Sequence, residues 1–498
     1  MAVTATRIRA LNQAQVSASG QYVLYWMIAA RRPRRNFALQ RARDWALELK
    51  VPLVVLEPLR IGYPWASERL HAFAIEGMAA NAAYFETSCA TYYPYLEPAE
   101  GAGSGLLEAL AERASVVVTD DHPGFFYPRM LEASGRLVRV RLEAIDSNGL
   151  LPLSVAQGRA FATAFSFRRF LQHELPRHLD EAPEEEPLIH AQLPKLKKLP
   201  AALRLRFPAA SHAQLSDVRA TVRRLSLDRS VSPIEPEGGW IASHWHMQRF
   251  VNRRLPRYLE RQHPDETVSS GLSPYLHFGH LSAHDLFRAV ADVEGWERLP
   301  EGHTTNGSRD GFWGMSGPAD AFLEELVTWR ELAFNSALCL SDYDRYESLP
   351  SWALRSLEAH SKDKRPYLYD LSELERAETH DGIWNAAQRQ LVREGTIHNY
   401  LRMLWGKKIL EWSQSPKVAF EHMVHLNNKY ALDGRDPNSI AGIAWTLGRY
   451  DRPWAPERAI FGMVRYMSSA STRKKLRLNQ YLERFGEGNS LYDELSAS

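Results

Sequence analysis

The residues best equipped for chemistry fall in a few short stretches of the 498-residue chain. Residues 269–280, SSGLSPYLHFGH, gather Ser, Gly and Pro ahead of a helix start near Ser282, so free backbone N–H groups and hydroxyls can converge on an anion such as a phosphate. Glu325 and Trp329 lie four apart in DAFLEELVTWRELAFNSAL and share one helical face. In HLNNKYALDGRDPNSIAGIAW, Asp433 and Asp436 sit in turn chemistry before a helix that starts around Ser439, and an Asx turn is the plain alternative to a ligand contact. The tail PERAIFGMVRYMSSASTRKKLRL sets Arg458, Arg465, Arg473, Lys474 and Lys475 around Tyr466. That mixture suits a DNA backbone, though a solvated helix face has the same composition.

A further stretch, residues 379–412, reads as two helices broken at Gly395, with Trp384 on the first and Trp405 and Trp412 on the second. Seven residues are nearly two helical turns, which puts the latter two indoles on one face with Cα atoms about 10 Å apart. Taken alone, such a stripe is packing, because the same face carries Leu401, Leu404 and Ile409.

These stretches need elements to hold them. The length exceeds what one hydrophobic core usually contains, so two domains are expected. With 45% hydrophobic and 24% charged residues the composition is that of an ordinary soluble globular protein, and a formal charge of +2 confines any nucleic-acid surface to a local patch. Cys89 and Cys339 are too few and too far apart for a disulfide framework or a cysteine metal site, and a reducing cytosol fits them. No signal core and no run of about 18 apolar residues is found, so a soluble protein of the cytoplasm or nucleoid, with no membrane contact, is expected.

Residues 1–153 alternate strands with helices: strands at 22–27, 51–56, 115–119 and 137–140, helices at 36–49 and 67–85, the latter capped by Ser67. Continuous apolar strands separated by helices predict a parallel, five-stranded Rossmann-like sheet covered on both faces. Ligands of such sheets lie beyond the strand C-termini, where Arg31 to Arg35 and Asp120 and Asp121 fall; for the aspartates a strand-end turn and a ligand contact weigh evenly. No GxGxxG fingerprint follows a strand, which argues against a conventional dinucleotide domain. Residues 154–239, with the acidic DEAPEEEP and the basic KLKK, read as a linker whose charges serve solvation, and residues 240–498 as an all-helical domain. Residues 301–318 look like a mobile surface insertion.

Together these segments resemble the class II cyclobutane pyrimidine dimer photolyases of the photolyase and cryptochrome superfamily. The likeness is carried by VLYWMIAARRPRRNFAL, SERLHAFAIEGM, LSPYLHFGHLS, FLEELVTWREL, KRPYLYDLSELERAETHDGIWNAAQ, IHNYLRMLWGKKILEW, LNNKYALDGRDPNSIAGIAW and FGMVRYMSS, in the family's order and over nearly the whole chain. The resemblance implies the photolyase/cryptochrome fold, an α/β domain that can hold an antenna pigment followed by a helical domain that binds FAD. A deazaflavin, a folate or no antenna all remain open. It implies that excited FADH⁻ gives an electron to a pyrimidine dimer in UV-damaged DNA, that the cyclobutane ring splits, and that the electron returns. The expected enzyme is a carbon–carbon lyase, monomeric, with no metal.

Site residues carry over by the same matching. Arg402 and Asp433 form a pair beside the isoalloxazine, Asn427 faces flavin N5, Asp436 and Asn438 lie on the flavin loop, and Tyr258, Ser270, Leu272 and Ser273 hold the diphosphate and ribityl chain. Trp329 and Trp445 pack the flipped dimer, Met403 lies near it, and Glu325 hydrogen-bonds the thymine carbonyl, for which burial must raise its pKa. Trp384, Trp405 and Trp412 coincide with the tryptophans that relay electrons from solvent to FAD. Phe334 departs from the family, standing where an aspartate is commoner. The competing readings are a cryptochrome-like light sensor, a repair-inactive FAD photoprotein and a photolyase for (6-4) products; Trp329, Trp445 and Glu325 occurring together favour dimer repair.

Overall fold

The computed structural model describes residues 2–487 and contains two compact units. The first comprises Met1–Gly158, Leu171–Val251 and Gly271–Leu299, the second Arg159–Phe170, Asn252–Ser270 and Pro300–Ser498. The chain thus changes unit several times instead of once near residue 240.

The first unit is built on a sheet of six strands in the order β1-β6-β5-β2-β3-β4: β1 Ile8–Ala10, β2 Tyr22–Trp26, β3 Leu53–Leu59, β4 Thr91–Leu96, β5 Ala114–Asp121 and β6 Leu142–Asp146. Strands β2 to β6 run parallel, and β1 pairs antiparallel with β6 at the edge. All five residues of β2 are buried because both faces are covered. Tyr22, Leu24 and Trp26 enter one apolar cluster, and Val23 and Tyr25 enter the other with Phe37, Ala38, Ala42 and Ala46, as the two-residue period of a strand requires. Helix α1, Phe37–Leu49, is capped by the Asn36 side chain, which accepts from Leu39 N–H, and α2, Glu68–Glu86, by Ser67, which accepts from Leu70 N–H.

The five parallel strands expected are β2 to β6, and the three-residue β1, too short to carry a period, adds an antiparallel edge. One strand expectation is corrected. Residues 137–140 are not a strand: Leu137 ends a helix, and the strand follows at Leu142–Asp146. The segment TYYPYL, which carried no strand assignment, forms β4, and Pro94 is tolerated there because β4 is the other edge. Residues 171–239 also belong to the first unit, where Leu215, Val222 and Leu225 pack into one cluster with Ala72, Ala74, Ile75 and Met78 of α2. The acidic run is not merely solvated either: Glu184 pairs with Arg43, and Glu185 with Arg34 and Arg35.

The second unit is helical. Helix α3, Gly317–Leu323, continues through a π-helical turn, Glu324–Trp329, into α4, Arg330–Cys339. Then come α5 Gly382–Glu394, α6 Asn399–Trp412, α7 Pro416–Tyr430, α8 Pro437–Thr446 and α9 Ser469–Lys475. Gly395 ends α5 in the left-handed conformation, φ 63°, the break anticipated from sequence. Helices α6, α7 and α8 pack against one another, and α4 packs against α8. Residues 301–316 hold no regular helix, yet they are anchored by buried Phe312 and Trp313 and by a bond from Gly311 N–H to the Asp320 carboxylate. No helix among the described residues is long and apolar enough to cross a membrane.

Candidate functional site

Helices α5 and α6 bring the tryptophans together. Trp384, Trp405 and Trp412 are 0%, 2% and 1% exposed. Trp384 Nε1 donates to the Trp405 carbonyl at 3.0 Å, Trp405 Nε1 donates to Gln388 Oε1 at 2.9 Å, and the Trp384 and Trp412 rings meet at 5.6 Å. The Trp384 and Trp405 indoles are thus each tied to a neighbouring helix, and all three rings are enclosed.

The N-terminal turns of α6 are different. Arg402 stands 3.5 Å from Asp433, with both side chains largely buried. Arg402 Nε and Asp433 Oδ1 are nevertheless buried without a hydrogen-bond partner. Leaving such groups unpaired is costly, and it marks a place completed by something other than this chain. Asn427 on α7 is 3% exposed, and its amide is exchanged with the Ser439 hydroxyl at 2.9 and 3.1 Å and with Asn428 Oδ1 at 3.1 Å. Asp436 is the N-cap of α8, accepting from Asn438 N–H at 2.8 Å, while Asn438 is exposed. The loop between α7 and α8 is held by Arg435, whose backbone N–H donates to Asn428 Oδ1 at 2.9 Å in a left-handed conformation, φ 68°. A polar planar ligand that both accepts and donates fits this set, because Arg402 Nε is left to donate and Asp433 Oδ1 to accept.

Glu325 and Trp329 lie on the π-helical turn, whose widened coil still keeps residues four apart on nearly one face; such turns recur at functional sites. The Glu325 side chain keeps 38% of its surface open, so it lines a recess and is not sealed in. Protein atoms crowd the recess and push the carboxyl above the ordinary range, while Arg261, 3.5 Å away, opposes the shift. Arg261 also lies 4.7 Å over the ring of Tyr258, and Phe322 meets that ring at 5.3 Å. Burial and the nearby Glu325 raise the Tyr258 hydroxyl far above its usual value. The adjacent Glu324 is held by Arg168. Trp329 and Trp445 are each half-buried, on the turn entering α4 and on α8, which pack together. Trp329 meets Tyr450 at 6.3 Å, and Trp445 lies beneath Lys407 at 5.7 Å and Arg465 at 6.0 Å. Met403 is half-buried on α6. Phe334 is buried, with the Arg330 guanidinium 4.4 Å over its ring, so the position expected to lose a polar contact gains a cation–π one.

All five basic residues of the tail are exposed. Arg465 also lies 4.8 Å over Trp454, Arg458 5.0 Å over Tyr466 and Lys475 5.1 Å over Tyr400, so the aromatics hold the cations without neutralising them. Ser270 is half-buried in the second unit, whereas Leu272, buried, and Ser273, exposed, lie in the first, at the start of the five-residue helix Ser273–His277. In the first unit, the Asp120 carboxylate is committed to structure. It accepts from the backbone N–H groups of Ile28, Ala29 and Ala30 at 2.8, 2.7 and 3.0 Å and from the Tyr25 hydroxyl at 2.8 Å, and Asp121 pairs with Arg9.

Sequence reasoning missed Arg261, Ser439, Asn428, Lys407 and Gln388. Arg261 had a signal, since it follows Tyr258 by three residues. The others are ordinary polar residues whose partners lie in distant turns or on neighbouring helices.

No family model matches the chain. It is 33% identical to the deoxyribodipyrimidine photo-lyase of Methanothermobacter thermautotrophicus over 488 residues, 97% of this chain and 98% of the relative. It is 32% identical to that of Potorous tridactylus over 95% of this chain and 83% of the relative. An archaeal photolyase from Sulfolobus tokodaii, solved with two FAD molecules, superposes with a TM-score of 0.63 at 13% identity, over 94% of this chain and 91% of that one. The fold is therefore that of photolyases, and the near full-length relationship at this identity places the chain in the deoxyribodipyrimidine photo-lyase family.

Proposed function

We propose that this protein is a class II photolyase that repairs cyclobutane pyrimidine dimers in UV-damaged DNA, with reduced FAD as its working cofactor. The observation that carries the proposal is the unfinished polar set of the helical unit: Arg402 Nε and Asp433 Oδ1 are buried without a hydrogen bond, in a unit that also presents the part-open Glu325, Trp329 and Trp445.

Reduced FAD, when bound, supplies the photoexcited electron that opens the cyclobutane ring. The chain's own residues do the rest. Arg402 and Asp433 take the flavin edge through Nε and Oδ1, which make no hydrogen bond within the chain, Asn427 faces the flavin N5 region, and Asp436 and Asn438 line the loop beside it. Tyr258 and Ser270 hold the ribityl and diphosphate portion. Trp329 and Trp445 stack on the extruded pyrimidines beside Met403, a contact worth about 1–3 kcal/mol per base. Glu325, whose carboxyl burial pushes upward, donates in its protonated form to a pyrimidine carbonyl and stabilises the charge that develops there. Arg458, Arg465, Arg473, Lys474 and Lys475 hold the phosphate backbone. Trp384, Trp405 and Trp412 recharge the cofactor from outside and take no part in ring opening.

The deciding experiment is light-dependent loss of thymine dimers from damaged oligonucleotides by the reduced, FAD-loaded protein. Repair under blue light and none in darkness is expected. Retention of every dimer by protein with full flavin content sinks the proposal.

A further inference from the structure

Trp329 and Trp445 stand on separate elements, the π-helical turn before α4 and the last turn of α8. Tyr450 connects them. It follows Trp445 by five residues, its ring meets Trp329 edge-on at 6.3 Å with 68° between the planes, and its hydroxyl is hydrogen-bonded to Ser336 Oγ at 2.5 Å. Ser336 follows Trp329 by seven residues, nearly two helical turns, so the tyrosine lies along the face that carries the indole. Tyr450 is 8% exposed and Ser336 3%.

The backbone at this point is strained. Tyr450 has φ 63°, in the left-handed region, which is an outlier for an aromatic residue and persists only where the surroundings over-determine it. They do so on each side of the strained residue. Gly448, φ 109°, fits so closely that an added Cβ would lie 2.9 Å from Ala353 Cβ and 3.0 Å from Trp352 Cη2. Arg449, buried, donates to the Tyr343 carbonyl at 2.9 Å and to the Ser348 hydroxyl. Tyr450 itself forms an isolated parallel bridge with Thr163. The turn that leaves α8 is thereby locked with the Tyr450 ring against Trp329.

We propose that Tyr450 is a positioning residue for lesion recognition, fixing the Trp329 ring relative to Trp445. The inference rests on the stacking role given to those two indoles above. Its physical basis is pre-organisation. A part-open indole held only by its own helix loses rotamer freedom when a base stacks on it, whereas a ring already clamped has little left to lose. Fixed walls suit a ligand that is itself rigid. Two pyrimidines joined through a cyclobutane ring are rigid and cheap to extrude, while two unjoined neighbours must first be unstacked and ordered. Tyr450 therefore acts on the choice between damaged and undamaged DNA and not on ring opening.

The test is binding of the FAD-loaded protein, in darkness, to one oligonucleotide with and without a thymine dimer, with the yield per bound dimer then measured under light. Tyr450→Leu should weaken dimer binding by about tenfold, with the affinity for undamaged DNA and the flavin content retained. The loss should fall on binding and not on the yield per bound dimer. Tyr450→Phe keeps the ring and loses only the bond to Ser336, so a loss of about threefold is expected. In a Trp329→Ala background neither substitution should have a further effect, a coupling that general destabilisation does not produce. Wild-type dimer affinity in Tyr450→Leu, or a loss that persists undiminished beside Trp329→Ala, overturns the inference and leaves dimer repair standing. Should Tyr450→Leu fail to fold, Tyr450→Phe decides by the same two criteria. A wild-type protein that binds dimer and undamaged DNA equally would remove the stacking reading, and the inference with it.

Discussion

Two neighbouring regions of the helical unit use the same residue types in opposite ways. On α5 and α6, three indoles are fully buried, and the bonds of Trp384 and Trp405 end on Trp405 and Gln388. Around the first turns of α6 and the ends of α3 and α8, two indoles are half-open, a carboxyl is raised, and Arg402 Nε and Asp433 Oδ1 make no hydrogen bond. A region complete in itself conducts or packs; a region left incomplete waits for a ligand. Burial and satisfaction together therefore sort five tryptophans into two classes that residue type alone merges.

The sharpest way to break that division is to ask what each tryptophan is for. Trp405→Phe should nearly abolish light-driven reduction of the oxidised flavin, while dimer repair by chemically reduced protein stays near wild type. Illumination under anaerobic conditions with a thiol, followed by a repair assay after chemical reduction, measures both. Equal loss of the two activities would return Trp405 to the core. A stability comparison follows. Trp384→Ala removes a fully buried indole and should cost about 3–5 kcal/mol, whereas Trp445→Ala, half-open, should cost about 1 kcal/mol. Chemical denaturation of both variants checks the difference, and similar losses would deny that the two classes of indole differ in kind.

Glu325 tests the incomplete region. Glu325→Ala removes a hydrogen bond to a group that becomes charged, a contribution of about 2 kcal/mol or about thirtyfold in rate, with flavin content unchanged. The pH dependence has a definite sign. Because crowding raises this carboxyl, its donor form persists above the ordinary carboxylate range, and repair should fall as pH rises through its folded pKa. A repair yield that rises with pH across that interval would remove the donor role.

How much of this was legible in the sequence depends on the range of the interaction. The break at Gly395, the caps at Asn36 and Ser67 and the strands β2 and β5 were readable because each is set by neighbours within a few residues. Edge strands β1 and β4 were not, one being too short for a period and the other interrupted by Pro94. At the site, residue types came from motif matching, but their states did not. Asp120 and Asp433 are both acidic residues near the end of an element, yet one is saturated by three backbone N–H groups and the other, 3.5 Å from Arg402, keeps an oxygen with no hydrogen bond. That difference arises from partners in separate segments, which no local pattern records. Gln388 was equally silent, as an ordinary helix residue whose partner Trp405 lies on the next helix.

Lys407 joins the two regions and offers the smallest test of the contrast. It sits on α6 between Trp405 and Trp412, is 1% exposed, donates to the Thr446 carbonyl at 2.5 Å, and places its Nζ 5.7 Å over Trp445. Burial lowers its pKa from 10.5 to about 7, with Asp451 opposing and Arg465 reinforcing the shift. The folded state thus holds this proton more weakly than the unfolded chain. Between pH of about 7 and about 10.5 the unfolded state binds more protons, so the Lys407 contribution to stability rises with pH across that window, and its charge is a burden below it. Lys407→Met keeps the volume and removes the charge. It should stabilise the protein at pH 6 by about 1 kcal/mol and flatten the rise between neutral and alkaline pH. Denaturant midpoints across that range measure both. A variant less stable at pH 6 would mean that the ammonium's bond to Thr446 and its contact with Trp445 outweigh its desolvation, and that the incomplete region begins at Lys407 and not at Trp445.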